Sequence, residues 1–580
     1  MSHPDNLAMF GAKLVDHLPL AIRAYVPLAE PEQHRRSRPA PVPSEWVLIF
    51  DTETTTDPSQ RLRFGSFQWR RAGELERHGL FYDPTALSKR EQQVIARYAR
   101  ENGLELLTKE DFVENVFFKL AYELRATIVG FNLPFDISRL AIGHNSARRR
   151  PMRGGFSFRL SENRWRPRVQ VKRLSRRASM LRFTAPAKQR TPSGMRRHSR
   201  VPVRRGFFVD VKTIGAAMTS RSDTLASLAE FLNVPSRKFV IEEHGGQLTP
   251  EYVAYAMQDV QVTWECYAEL SRRYATHGLT KTPMHQIYSE ASIGKAYLKE
   301  MCIEPWRLMQ PDFPPEIINI IMQTYFGGRS EVRLRRVISQ VLYSDFLSMY
   351  PTVCTLMGLW RWVIAKGISW RDTTDETRAL LARITRQDLQ RPEAWPALTT
   401  LVQVLPGRDI LPARSQYAGE AQYTIGLNEI SADRPLWYTL ADCINSKFQT
   451  GKAPKILKAL TFEPKGIQTG LRPVNIGGNP ESRIDPRSGD FYKAIIEQRS
   501  SIKARLKSCS PSEREALESQ QQALKILANA TSYGIFVEIN VEELTKPASA
   551  LRYSDDGAPS EISVDKAELP GTYFIRFLLR

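Results

Sequence analysis

An unbroken apolar run, Trp46-Val47-Leu48-Ile49-Phe50, ends in Asp51-Thr52-Glu53. Such a run reads as a buried strand, which commits this part of the chain to a covered sheet. Side chains two apart on a strand share a face, so Asp51 and Glu53 point the same way and can clamp metal ions. A second strand, Ala126-Thr127-Ile128-Val129-Gly130-Phe131, runs into Asn132-Leu133-Pro134-Phe135-Asp136. Pro134 suits the first turn of a helix, which places Asp136 just inside it. A third element is a helix over 251–270, where Tyr255 and Asp259 lie four apart on one face. Asp210 lies within the strand Phe207-Phe208-Val209-Asp210-Val211, a fifth acid near the sheet with no role beyond that of a helix cap.

Taken in order, D-x-E, N-x-x-F-D and Y-x-x-x-D resemble, residue for residue, the three motifs of the DEDDy-type 3′→5′ proofreading exonuclease. The resemblance implies a ribonuclease H-like domain. In it Asp51, Glu53, Asp136 and Asp259 hold two Mg²⁺ (or Mn²⁺) ions. One ion activates the attacking water and the other stabilises the leaving 3′ oxygen, while Tyr255 orients the water.

Further on, Val341-Leu342-Tyr343 reads as a short buried strand that delivers Asp345 at its tip. Asp345-Phe346-Leu347-Ser348-Met349-Tyr350-Pro351 resembles the D-x-x-S-L-Y-P motif of family B DNA polymerases, with Met349 in place of Leu. The resemblance implies that Asp345 binds both polymerase metals, again two ions, and that Tyr350 packs under the sugar of the incoming dNTP. Upstream, Tyr325-Phe326-Gly327-Gly328 resembles the family's Y-x-G-G element, so Tyr325, Gly327 and Gly328 are expected at the template strand. Trp437 to Lys455 resembles palm sequence more weakly.

Two helices are expected near the C-terminal end. The first spans 491–507, with Ile495, Ile496, Ile502 and Leu506 near one side. The second opens on a capping box of Ser512 with Glu515 and runs to about Ala530. They match the family's fingers. Arg499 and Lys503 are one turn apart on the first, Lys525 and Asn529 on the second, which suits binding of a triphosphate. Lys525 to Gly534 resembles K-x-x-x-N-S-x-Y-G, with Tyr533 one residue later than the pattern sets it.

Charge points to a polyanionic partner. The 580 residues include 82 Lys and Arg against 62 Asp and Glu, a net charge of +20. Almost all of the excess sits in 148–205, which holds 20 basic residues and one acid, Glu162. Short alternating pieces there, Arg168 to Lys172 and Met180 to Phe183, read as strands of a basic ribbon. Its cations suit phosphates and its interleaved aromatics, Phe156, Phe158, Trp165 and Phe183, suit bases. No apolar run is long enough to span a bilayer. The five scattered cysteines form neither metal nor disulfide spacing, so a cytoplasmic, nucleic-acid-associated setting is expected.

The sequence thus predicts an α/β (α+β) multidomain chain. Residues 1–45 are a leader and linker; 46–285 are the exonuclease with a basic insertion at 145–206; 286–485 are the first part of the palm; 486–534 are the fingers hairpin; 535–580 are a truncated palm. A family B polymerase needs a second palm carboxylate in a D-T-D motif, and none follows Gly534. Tyr553-Ser554-Asp555-Asp556-Gly557 reads as a turn. The expected partners are primer-template DNA, a single-stranded 3′ end and dNTPs, together with a second chain that supplies the missing motif and a thumb. Three readings stay open: a truncated or split polymerase with proofreading, a 3′→5′ exonuclease whose polymerase half only binds primer-template, and a non-catalytic DNA-binding subunit. On the first, the chain alone extends primers negligibly.

Overall fold

The computed structural model describes residues 20–25, 42–148, 151–184, 205–237, 246–328, 334, 337–346, 348–415, 424–530, 540–553, 559–569 and 572–577. The apolar run at 46–50 does form a buried strand, β1 (Trp46–Thr54). It is followed by β2 (Leu62–Arg71), β3 (Glu74–Tyr82), β4 (Glu105–Thr108) and β5 (Thr127–Gly130). Helix α1 (Leu133–Leu140) opens with Pro134 in its first turn, after Asn132 at φ 67°. A basic ribbon comes next, of strands β6 (Gly143–Ser146), β7 (Phe156–Arg159), β8 (Val169–Arg173) and β9 (Ser179–Phe183), in the order β9-β8-β7-β6. Then come β10 (Phe207–Asp210), α2 (Val211–Thr219) and the long α3 (Pro250–Thr276).

One sheet has the order β10-β5-β1-β2-β3-β4. β1 is parallel to β5 and β5 to β10, whereas β1–β2 and β2–β3 are antiparallel. The pleat of β1 divides two cores. Val47 and Ile49 join Val209, Ile214 and Val260, on the side of α2 and α3. Leu48 and Phe50 join Leu133 and Ile137 of α1, together with Phe112 and Phe117. The ribbon rests its Val169, Val171, Leu181 and Phe183 on that second core, which is why a stretch so rich in arginine still forms ordered strands.

The first core does not stop at residue 285. It continues through α4 (Glu290–Glu300) with Ile293, Ala296 and Tyr297, takes in Trp360 after α5 (Met349–Leu356), and ends in two helices, α6 (Phe491–Arg505) and α7 (Pro511–Ala530). Phe491, Tyr492, Ile495 and Ile502 of α6 and Leu517, Leu524 and Leu527 of α7 are all part of it. Gln522 on α7 donates to the carbonyl of Thr219 on α2 at 2.6 Å.

Three expectations need correction. The opening 45 residues are not only a leader: Leu20–Tyr25 is a strand that pairs with Thr572–Phe577 along its full length. It sits inside a six-stranded sheet with Gly407–Ser415 and Thr424–Ser431 on one side and Thr572–Phe577, Pro559–Leu569 and Asn540–Tyr553 on the other. Leu20 and Ala21 are buried there, so a local apolar patch outweighs its polar surroundings. The second helix is capped by Ser510, not Ser512: Ser510 Oγ donates to Glu513 Oε2 at 2.7 Å, and Pro511 takes the first helical position. Finally, Val341, Leu342 and Tyr343 form no strand. Residues 337–346 lack regular structure, and these three side chains are 81%, 94% and 89% exposed. An apolar run becomes a strand only where a neighbour satisfies its backbone, and no sheet among the described residues takes this one up.

Between α5 and α6 lies a four-stranded antiparallel sheet of Ala365–Asp372, Lys455–Ile467, Thr400–Leu405 and Leu436–Thr439. No helix among the described residues is long and apolar enough to cross a membrane.

Candidate active sites

Beyond Ile49, β1 keeps its alternation, so Asp51 and Glu53 extend the face that meets α3. Tyr252, in the first turns of α3, donates from Oη to Glu53 Oε2 at 2.7 Å. Tyr255, one turn further on, is buried. Its phenol is held well above its ordinary pKa, first by burial, then by the charge of Asp259 and its hydrogen bond to that carboxylate, then by Glu53 and Asp51. Tyr255 is therefore a neutral hydroxyl that faces three acids at once. The structure brings Asp51, Glu53, Tyr255 and Asp259 together as one group.

Asp136 stands apart from this group: it is held by Thr52, which alternation turns to the opposite face of β1 from Asp51 and Glu53, and whose Oγ1 donates to Asp136 Oδ1 at 2.7 Å. The side chain is 2% exposed, and its Oδ2 is buried with no donor. Burial raises its pKa well above the carboxylate range; the Thr52 bond opposes that, and the charge of Asp210 adds to it. Asp210 is indeed a cap, and more. Its Oδ2 accepts from Thr213 N (3.2 Å) and Thr213 Oγ1 (2.5 Å) at the start of α2. Its Oδ1 accepts from Asn132 N (2.8 Å) and Leu133 N (3.1 Å) at the start of α1. One carboxylate thus ties down the helix that carries Asp136.

The donors of this region are hard oxygens, and the orphaned Oδ2 of Asp136 is one that a cation would satisfy, which suits Mg²⁺ or Mn²⁺. Protein donors hold the acids singly: Thr52 holds Asp136, Tyr252 holds Glu53 and Tyr255 holds Asp259. Among the described residues no three His, Cys, Asp or Glu side chains converge as a metal-ion site. Tyr252 and Thr52 were not anticipated. The signal for Tyr252 was its spacing of three from Tyr255, which puts both on one helical face.

The second set of expected residues is only partly assembled. Asp345 is exposed in the irregular segment 337–346. Ser348, at φ 47°, starts α5, and Tyr350 lies exposed in its first turn. A methyl group at Gly328 would stand 3.8 Å from the Tyr350 hydroxyl, so these two motifs meet. Gly327 has φ 91°, a backbone state that favours glycine. Tyr325 lies under the Arg23 guanidinium, 4.3 Å from its ring centre. Arg499 on α6 donates from Nη1 to Ser348 Oγ at 3.1 Å. Burial lowers its pKa, and its Nε is buried without a partner. Lys503 is exposed one turn on; Lys525 is half-buried on α7. Asn529 lies on α7, but its side chain is outside the described residues, as are Tyr533, Asp555 and Asp556.

The DNA polymerase family B model matches residues 489–540, a span that takes in α6 and α7. No curated protein matches the chain. Among solved structures, a Phi29 DNA polymerase complexed with single-stranded DNA is similar at a TM-score of 0.32 and 11% identity, covering 90% of this chain and 72% of that one.

Proposed function

We propose that this chain is a DNA-directed DNA polymerase of the family B type that also removes nucleotides from 3′ ends. The observation that carries this reading is that the family match falls on α6 and α7, and that Arg499 of α6 reaches Ser348 in the Asp345 motif. Primer-template DNA and dNTPs are the ligands. Arg499, Lys503 and Lys525 bind the triphosphate, Tyr350 meets the sugar, and Tyr325, Gly327 and Gly328 lie along the template.

The central β1, parallel to β5 and antiparallel to β2, supports a ribonuclease H-like nuclease half. Asp51, Glu53, Asp136 and Asp259 would hold Mg²⁺ or Mn²⁺ there, and Asp345 would in the polymerase half. When bound, such ions activate a nucleophile and stabilise the leaving oxygen. The protein supplies the rest. Tyr255, kept neutral and with its proton on Asp259, would offer its hydroxyl oxygen as an acceptor that orients water beside that carboxylate. Tyr252 fixes the Glu53 carboxylate. Thr52 fixes Asp136.

A second reading has its own support. Asp345 stands exposed in an irregular segment, while Asp51, Glu53, Tyr255 and Asp259 are already gathered. On that reading the chain is a 3′→5′ exonuclease whose polymerase half only holds DNA. Two measurements decide. The double variant Asp51→Ala/Glu53→Ala should lose Mg²⁺-dependent degradation of single strands from the 3′ end and keep DNA binding; undiminished degradation sinks the nuclease assignment. In that background, a template-matched dNTP should slow dissociation from primer-template, and Arg499→Ala should remove the effect. No response to the matched dNTP selects the second reading.

A further inference from the structure

The ribbon β6–β9 carries an aromatic cluster that neither set of acids uses. Phe156 and Phe158 lie two apart on β7 and share a face. Their rings stack with centroids 5.9 Å apart and planes 25° from parallel. His144, paired with Phe158 across β6 and β7, turns edge-on to both, at 6.1 Å and 90° from Phe156 and 6.3 Å and 70° from Phe158. Phe158 rests on the core, while Phe156 is 53% exposed. A ring braced in this way is already ordered before anything binds, so a ligand on its open side loses little entropy in fixing it.

The surroundings are cationic. Glu162, the sole acid of 148–205, pairs with Arg159 at 3.1 Å. Val171 on β8 is the cross-strand partner of Phe156, so Arg173, two residues further on, lies on the same face, whereas Lys172 lies on the other. Arg173 donates to the carbonyl of Ser175 (3.2 Å), a neutral group, and pairs with no acid among the described residues. An open aromatic face next to an uncompensated cation fits a ligand with a flat π-surface joined to negative charge. A nucleotide of a single strand has both; in a duplex the base faces are already stacked on each other.

We propose that Phe156, backed by Phe158 and His144, is a stacking platform for one base of single-stranded DNA, with Arg173 taking the adjoining phosphate, so that the ribbon prefers single strands to duplex. This deepens the reading of the chain as DNA-binding and rests on it.

The test is fluorescence anisotropy with a labelled oligothymidylate and a blunt duplex of equal length, over a salt series in EDTA. Phe156→Ala should weaken binding of the single strand about 5- to 150-fold, the worth of one base–aromatic stack, at every salt concentration. Duplex affinity should not change, and Phe156→Trp should keep single-strand binding. Arg173→Ala should flatten the plot of log affinity against log salt on single strands by about 0.7, the contribution of one phosphate. An equal loss on single strand and duplex, or no loss with Phe156→Ala, overturns the proposal. No cleavage or dNTP enters this assay, so its failure leaves the nuclease and polymerase readings standing, and theirs leaves this one standing.

Discussion

Replacing Asp210 by Ala should loosen the start of α1 and, with it, Asp136. The side chain is buried and accepts four hydrogen bonds, two at each of its oxygens. Bonds to a charged group are worth about 1.5–3 kcal/mol each, and the donors left behind are buried. Against that, the variant no longer buries a carboxylate, a penalty of several kcal/mol that is visible as the raised pKa of Asp210. The net loss should be about 3 kcal/mol, as expected for removing one member of a buried charged set. Native-state hydrogen exchange reads this locally. The amides of Asn132, Leu133 and Thr213 should exchange about 150-fold faster, while amides in the centre of β1 hold their protection. The 3′→5′ degradation rate should fall too, by about 100-fold if Asp136 shifts by an ångström. Protection at Asn132 and Leu133 within about threefold of the parent would show that α1 is held by its packing and not by Asp210.

Two further outcomes follow from the same geometry. Tyr252→Phe removes the bond to Glu53 and should slow degradation about 10-fold with single-strand affinity unchanged; a variant as fast as the parent would strip Tyr252 of its positioning role. Asp136 gives a pH signature: a carboxyl whose folded pKa lies above its unfolded value contributes stability fully below the unfolded value of about 4 and loses it as pH rises through the folded one. Asp136→Asn lacks that dependence, so in EDTA its urea midpoint should rise relative to the parent as pH increases across the window, and a gap constant with pH would contradict the assignment.

What could be read from the sequence was what local spacing determines. The strand into Asp51 and Glu53, the helix that sets Tyr255 a turn before Asp259, the ribbon and the two C-terminal helices all rest on short-range periodicity, and all are present. Asp210 was legible only as an acid near the sheet that could cap a helix; its second grip, on the amides of Asn132 and Leu133, spans 77 and 78 residues and no local pattern carries it. Leu20–Tyr25 was missed for the same reason, since its partner strand lies at the far end of the chain. The error at Val341 to Tyr343 is the converse. Those residues have strand propensity, but burial depends on a partner that propensity does not specify. Tyr252 was hidden by its type, because a tyrosine on an apolar helix face reads as core until its hydroxyl is seen against a carboxylate.

The continuous core that begins at Val47 and Ile49 and ends at Leu524 and Leu527 has a consequence for inheritance. The helices that carry Arg499 and Lys525 are also a wall of the compartment behind Asp51 and Glu53. A lineage that no longer needed nucleotide addition could shed the lysines and arginines at little risk, but not Phe491, Ile495 or Leu527, whose loss would open the core behind Asp51 and Glu53 to water. Drift should therefore erode the polar face of α6 and α7 long before their apolar face, and a gene fragment that ends before α6 should yield insoluble protein rather than a smaller nuclease.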